Sequence, residues 1–270
     1  MYNVRIKNYG NGQVQTAIYS HPVYTGKKSE YESAKEFETN PFDGEKTLVI
    51  DDFDYFEKEH ERSVLNSMKR AKNKIFDLAR SNEWEWFVTM TLNPEKVNRY
   101  DYSVCSKKIS EWLKNMQRDC DSEFRYIVVP ERHKDGAYHF HGLFSQCDKL
   151  DFVFSGHYDS KKRAIYNIGK YKWGWTTATK VQTNEGVTKY LTKYVTKDLV
   201  EHTKNKKKYW SSRNLNVPMV YTEMLDLSDT RLLHEELVLD SNIQYYKSVG
   251  YEIGMARRNV CFYETLEGDD

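Results

Sequence analysis

Two histidines one residue apart, His139 and His141, follow Glu131 across the short polar segment Lys134-Asp135-Gly136. Alternate residues of a strand point to one face, so both imidazoles can approach a single cation. Further along, Tyr190 and Tyr194 lie four apart in Tyr190-Leu-Thr-Lys193-Tyr194-Val-Thr-Lys197, a spacing that brings two side chains to one helix face. A cation site and a pair of phenols together suit attack of a tyrosine on a phosphodiester, with the cation polarising the phosphate.

The hairpin around Asp135-Gly136 decides whether the first group of residues can converge. Taken as a three-residue loop, with Gly136 in the left-handed conformation such loops need, Lys134-Asp135-Gly136 sets His133 opposite Ala137. Arg132 then faces Tyr138, Glu131 faces His139 and Val129 faces His141. Glu131, His139 and His141 share one face in this register, and His133, nearer the turn, is a spare ligand. A two-residue loop would put Arg132 opposite His139 and break the site. Mixed nitrogen and oxygen ligands with open positions suit Mg²⁺ or Mn²⁺ bridging a phosphate, although imidazoles also take Zn²⁺. The plain alternative is a half-buried hairpin that happens to carry His-x-His.

A helix over residues 185–200 turns by about 100° per residue, so with Tyr190 at zero, Tyr194 falls near ~40°, Lys193 near ~−60° and Lys197 near ~−20°. Val187, Leu191, Val195 and Leu199 form the buried stripe beside them. A phenol with a pKa near ~10 is a poor nucleophile at neutral pH. Nearby lysines favour its ionised form and can hold a phosphate as well. With 21 tyrosines in the chain, such a pair can also be simple packing at the edge of a core.

The elements that must position these residues are legible in part. Arg62 to Arg80 carries Val64, Leu65, Met68, Ala71, Ile75, Phe76 and Ala79 at helical spacing, with Lys69, Arg70, Lys72 and Lys74 largely opposite, a basic amphipathic helix. Trp86-Phe-Val-Thr-Met-Thr-Leu92 reads as a strand ended by Asn93-Pro94. Tyr102 to Cys120 reads as a second helix, followed by the hairpin of Phe124–Glu131 and Ala137–Phe144. Residues 150–183 hold further strand-like pieces, including Trp173–Val181. Residues 1–30 suggest short strands or loop, and residues 30–61 are acidic, with a possible strand at Thr47–Ile50 and the run Asp51-Asp-Phe-Asp54. The organisation expected is an acidic extension over 1–61, a catalytic domain over 62–205 and a partly acidic extension over 206–270.

Charge supports that division. The chain of 270 residues has a net charge of +1, yet residues 62–219 carry 30 Lys and Arg against 17 Asp and Glu, a net +13. Residues 1–61 sum to −5 and residues 220–270 to −7. A basic middle between acidic ends suits a polyanion, though a solvated charged surface has the same composition. All six tryptophans also lie in the middle, and aromatics among lysines suit stacking on unpaired bases. Trp173 and Trp175, with Lys189 and the run Lys206, Lys207 and Lys208, are candidates for holding a nucleic acid. Mean hydropathy is −0.82, no stretch reaches the ~18–20 apolar residues of a membrane span, and Met1-Tyr-Asn-Val-Arg-Ile-Lys lacks a secretory core. Four scattered cysteines indicate neither a zinc site nor a disulfide framework, so a cytoplasmic setting is expected. No repeat is visible, and no Gly-x4-Gly-Lys-Ser/Thr loop marks an ATPase motor.

Three segments together resemble the HUH endonuclease superfamily, in particular the two-tyrosine rolling-circle replication initiators of small phages and plasmids. Phe87-Val-Thr-Met-Thr-Leu92 resembles the first motif, Glu131 with His139-Phe-His141 the metal motif, and Tyr190-Leu-Thr-Lys-Tyr194-Val-Thr-Lys197 the catalytic motif, in that family's order over roughly residues 84–200. The resemblance implies an α+β fold, a central antiparallel sheet with helices on one side, like a rearranged RNA-recognition fold. It implies that His139, His141 and Glu131 hold a divalent metal, and that Tyr190 or Tyr194 attacks single-stranded or extruded origin DNA. A 5′-phosphotyrosine and a free 3′-OH for a host polymerase would result, the second tyrosine later passing the strand on, with Lys193 and Lys197 holding the phosphate. Family members often carry a helicase domain; no such motif is present, so unwinding would fall to a host helicase. Relaxases of the superfamily usually place the tyrosine before the histidines, and its transposases are shorter, with one tyrosine. A non-catalytic single-strand DNA-binding protein is the reading of a different class, and it would need no divalent ion.

Overall fold

Glycine at 136 and glycine at 174 mark the two places where backbone geometry shapes the central sheet. In the computed structural model Gly136 has φ of +88°, the left-handed value expected of the hairpin loop, and its amide donates to the His133 carbonyl while the His133 amide donates to that of Ala137. The register follows: Glu131 lies opposite His139, Val129 opposite His141 and Arg132 opposite Tyr138. At Gly174 an added Cβ would stand 2.0 Å from the Thr91 carbonyl oxygen and 2.7 Å from the Asn93 nitrogen. That contact is with backbone that cannot swing aside. Gly174→Ala is therefore expected to destabilise the sheet by about 3 kcal/mol, the upper range of overpacking costs, and a thermal melt unchanged from wild type would refute it.

The structure describes residues 1–25, 37–39, 46–48, 52–253 and 256–266, with backbone alone at 37–39, 46–48, 52–59, 251–253 and 256–257. Two compact units are present: one is Glu59–Val217, the other joins Met1–Lys58 with Pro218–Asp270. Chain order begins with β1 (Tyr2–Asn8), β2 (Gln13–Val23), the short ribbon of β3 (Phe37–Thr39) and β4 (Lys46–Leu48), then α1 (Asp52–Arg80) and β5 (Trp86–Leu92). Next come α2 (Tyr102–Asp119), β6 (Arg125–Arg132), β7 (Tyr138–Ser145), β8 (Phe152–Tyr158), β9 (Ala164–Ile168) and β10 (Gly174–Lys180). The chain continues through α3 (Asn184–Thr192), α4 (Lys197–His202), β11 (Trp210–Ser211), β12 (Met219–Glu223), α5 (Leu227–Leu239), β13 (Ile243–Ile253) and β14 (Ala256–Leu266). The protein is thus α+β, with antiparallel sheets flanked by helices.

The Glu59–Val217 unit is built on a seven-stranded sheet of order β11-β6-β7-β5-β10-β9-β8. Alternation along β5 sends Trp86, Val88, Met90 and Leu92 to one face, where α2 covers them with Ile109, Trp112, Leu113 and Met116. Asp101 caps α2, its carboxylate accepting from the Ser103 and Val104 amides. The opposite face carries Ile127, Val129 and Leu143, packed against Val64, Ala71 and Ile75 of α1 and Leu191 of α3. Helices therefore lie on both faces, a correction to the one-sided arrangement the resemblance implied. The stripe on α1 is too apolar to leave in water and takes the second face. α1 also starts ten residues earlier than expected and takes in Asp52-Phe-Asp54, acidic groups that suit a helix N-terminus. Ile50 and Val49 of the expected strand, and Asp51 of the acidic run, lie outside the described residues; the strand is seen at Lys46–Leu48.

The other unit holds a five-stranded sheet of order β12-β1-β2-β14-β13. Its central pairing is between the two ends of the chain: β14 runs antiparallel to β2, Val260 opposite Tyr19 through Leu266 opposite Gln13. Tyr263 is buried on this sheet and its hydroxyl bonds the His234 ring of α5.

Candidate active site

Pairing across the central sheet aligns the chemistry-bearing residues in rows. Thr89 and Thr91 of β5 sit opposite His141 and His139 of β7, and across the other edge of β5 they face Thr177 and Trp175 of β10. Directly paired residues share a face. Glu131, the two histidines, the two threonines and Trp175 therefore occupy one face of the sheet, beyond the part covered by α1 and α3.

On that face Glu131 is the hub. One of its carboxylate oxygens is 2.8 Å from Nε2 of His141 and 3.2 Å from Nε2 of His133. His139 stacks on His133 with ring centres 3.8 Å apart. The threonines act from the neighbouring strand: the Thr89 hydroxyl is 3.1 Å from Nδ1 of His141, and that of Thr91 is 3.4 Å from Nδ1 of His139. A carboxylate can only accept, so Nε2 of His141 carries the proton here, and Nδ1 accepts from Thr89. A hydroxyl can also accept, so the same contact serves the other tautomer, in which Nε2 is bare and able to ligate. The signal for this role was the matching two-residue period of Thr-x-Thr and His-x-His, which sequence reasoning left unassigned.

Electrostatics keep the imidazoles neutral. Burial, and then the neighbouring His133, push the pKa of His139 down to about 4 from 6.5. Burial also lowers that of His141, against the opposing bond to Glu131. The bond from His141 holds the Glu131 carboxyl below the usual carboxylate range. A carboxylate with neutral imidazoles is the donor set a divalent ion requires. Among the described residues no three His, Cys, Asp or Glu side chains stand around one point as ligands do; Glu131 is instead hydrogen-bonded to two of the rings. The donor types and their shared face nonetheless fit Mg²⁺ or Mn²⁺ held by Glu131, His139 and His141, with His133 also in reach.

The depressed imidazoles make a pH prediction. The unfolded chain binds more protons than the folded one wherever the folded pKa is the lower, so stability rises with pH there. The metal-free protein is expected to be fully stabilised above pH 6.5 and to lose stability as pH falls towards about 4. Urea midpoints across that range test this, and His139→Gln should flatten the slope; an unaltered slope would exclude His139 as its source.

The tyrosines reach the same cluster from α3. Asn184 fastens the start of α3: its side-chain amide donates to the Asn82 carbonyl and its oxygen accepts from the Trp84 amide. The helix expected over 185–200 is in fact two. α3 ends at Thr192, the amides of Lys193, Tyr194 and Val195 bond three residues back, and the Thr196 hydroxyl caps α4 by accepting from the Leu199 amide. Such tight winding turns each residue by about 120°, so Tyr194 departs from the direction of Tyr190. Tyr194 lies flat on His141, ring centres 3.6 Å apart and planes within 7°. Burial, followed by its bond to Tyr190, raises the Tyr194 pKa well above that of a free phenol. Tyr190 is 45% exposed and meets Phe87 and Tyr194 edge-on.

The lysines separate likewise. The Lys193 ammonium is 5.5 Å from the Tyr190 ring centre. Lys197 opens α4 and pairs with Glu61 at 2.6 Å and with Glu201, because the helix break carries it away from the tyrosine face. Lys189 pairs with Glu185 one turn back. Lys206 bonds the Ser103 hydroxyl beside the start of α2, Lys207 is exposed, and half-buried Lys208 bonds the Thr203 carbonyl. Trp173 is half-buried under the Lys108 ammonium, whereas Trp175 is 58% exposed.

An antiparallel sheet that presents histidines, a carboxylate and tyrosines on one open face defines a protein equipped for phosphoryl chemistry on a strand-like ligand. Residues 85–199 match the family model of the replication-associated protein ORF2. The matched stretch runs from β5 into α4 and includes Glu131, His139, His141, Tyr190 and Tyr194, which is consistent with a role in initiating DNA replication. No curated protein and no solved structure gives a significant match. Among the described residues no helix is long and apolar enough to cross a membrane.

Proposed function

We propose that the protein is a replication initiator of the two-tyrosine HUH kind, which nicks single-stranded origin DNA by tyrosine attack. The observation that carries this reading is the direct stacking of Tyr194 on His141: candidate nucleophiles and candidate metal ligands form one cluster, on residues distant in sequence. Mg²⁺ or Mn²⁺ held by Glu131, His139 and His141 would supply Lewis-acid polarisation of the scissile phosphate. Thr89 and Thr91 fix the imidazole rings, and Phe87 walls the tyrosines against the sheet. The Lys193 ammonium favours ionisation of Tyr190 and neutralises phosphate charge. The phenol oxygen forms a bond to phosphorus, the bond to the 3′ oxygen breaks, and that oxygen leaves as a hydroxyl after taking the proton the phenol loses. The free 3′-OH serves a host polymerase, and unwinding falls to a host helicase. Rejoining reverses the step.

The test is a denaturing gel of the protein with a randomised pool of labelled single-stranded oligonucleotides and Mn²⁺. A covalent band is expected that disappears with a chelator and returns when Mn²⁺ is restored. Tight binding without an adduct in any divalent ion would reassign the protein as a single-strand DNA-binding module.

A further inference from the structure

A groove of about 570 Å³ runs over the sheet between α3 and the turn that joins β8 to β9. Thr89, Thr177 and Thr179 contribute to its floor, and Gly186 and Tyr190 of α3 to its near wall. Its far rim is the β8–β9 turn, with Lys161 and Arg163. Asp159 organises that turn: one carboxylate oxygen accepts from the Lys161 and Arg163 amides, and the other from the Arg163 guanidinium. The inner end meets the cluster already described, because Thr89 also touches Nδ1 of His141.

The two tyrosines relate to this groove differently. Tyr190 forms part of its wall, is the more exposed of the pair and has the Lys193 ammonium beside its ring. Tyr194 is not among the groove's lining residues and is covered by its stack on His141. The lysine at the equivalent spacing after Tyr194, Lys197, is taken up by Glu61 and Glu201. The repeated Tyr-x-x-Lys pattern therefore does not fold into two equivalent units. A floor of hydroxyls with a cationic rim suits the sugar-phosphate chain of a single strand, and the volume is that of a small-ligand site, too small for a duplex.

Resting on the nicking reading above, we propose that this groove is the path by which the single strand enters, and that Tyr190 makes the first attack. The Tyr190 oxygen bonds to phosphorus as the bond to the 3′ oxygen breaks, the phenol proton ending on the released 3′-OH. Tyr194 becomes available only when its ring leaves His141, which suits it to a second transfer.

Trypsin separates the two candidates, because cleavage after Lys189, Lys193 and Lys197 leaves Tyr190–Lys193 and Tyr194–Lys197 as distinct peptides. Wild-type protein is incubated briefly with excess randomised single-stranded oligonucleotides and Mn²⁺, trimmed with nuclease, digested and weighed by mass spectrometry. The nucleotide is expected on the Tyr190 peptide in about tenfold excess or more, equivalent to a barrier difference of about 1.4 kcal/mol. Nucleotide on the Tyr194 peptide, or on both equally, overturns the assignment and leaves tyrosine nicking standing. Nucleotide on neither overturns both. The path is tested with Thr177→Tyr, which fills the groove from an exposed position; its adduct is expected to fall at least about tenfold with an unchanged melt, and full adduct yield would exclude the groove. Lys161→Ala, at the exposed rim, provides an independent measure: the salt slope of single-strand binding should fall by about 0.7, and an unchanged slope would remove the rim from the path.

Discussion

Tyr190→Phe combined with Tyr194→Phe is expected to lower covalent adduct formation by at least about 10³-fold, as loss of a nucleophile does, while single-strand affinity changes by less than about threefold. The contrast follows from what each hydroxyl does. Phenylalanine keeps the ring of Tyr194 on His141 and the edge contact of Tyr190 with Phe87, so the packing of α3 on the sheet survives. Only the oxygens that would bond phosphorus are lost. A gel-shift and a denaturing gel on the same preparation separate the two effects. Substantial residual nicking by the double variant would exclude tyrosine chemistry, and a parallel collapse of affinity would mean that the phenols bind rather than react.

The second large effect is expected at the histidines. His139→Ala should reduce Mn²⁺ affinity by about 10- to 100-fold or more, since losing even a supporting partner of a ligand costs that much, and adduct formation at limiting Mn²⁺ should fall with it. The fold should hold, because His139 is half-exposed. His141→Ala should cost metal affinity similarly and also destabilise the metal-free protein by about 1–3 kcal/mol, the cost of stranding buried polar partners. His141 is only 6% exposed and serves Glu131, Thr89 and Tyr194 at once. Calorimetric titration of Mn²⁺ with thermal melts distinguishes the pair. Unaltered Mn²⁺ affinity in both variants would dissolve the metal-site assignment.

Much of this site was legible because its constraints are local. Gly136 and the length of its loop fix the register that brings Glu131 opposite His139, and the two-residue period does the rest. The helix break was less visible, since Val195 and Leu199 continue the apolar stripe through it. Its signal was Thr196 as a cap with Asp198 in the first turn, which competes with that stripe and prevails through the cap. The groove could not be read from spacing at all, because it depends on which strands β10 chooses as neighbours. Nor could the wheel of α1 say which face of the sheet its stripe would cover. The joining of the two chain ends in one sheet left no local trace, as strand pairing carries no signature of its distant partner.

That joining imposes an order on synthesis. β1 and β2 leave the ribosome first, yet the strand that pairs with β2 is β14, the last element made. Until it emerges, β2 presents an open edge, the kind of surface that recruits other strands. All of Glu59–Val217 is translated in the interval. A nascent or prematurely ended chain would therefore hold a finished central sheet beside an unfinished one, with solubility depending on its last dozen residues.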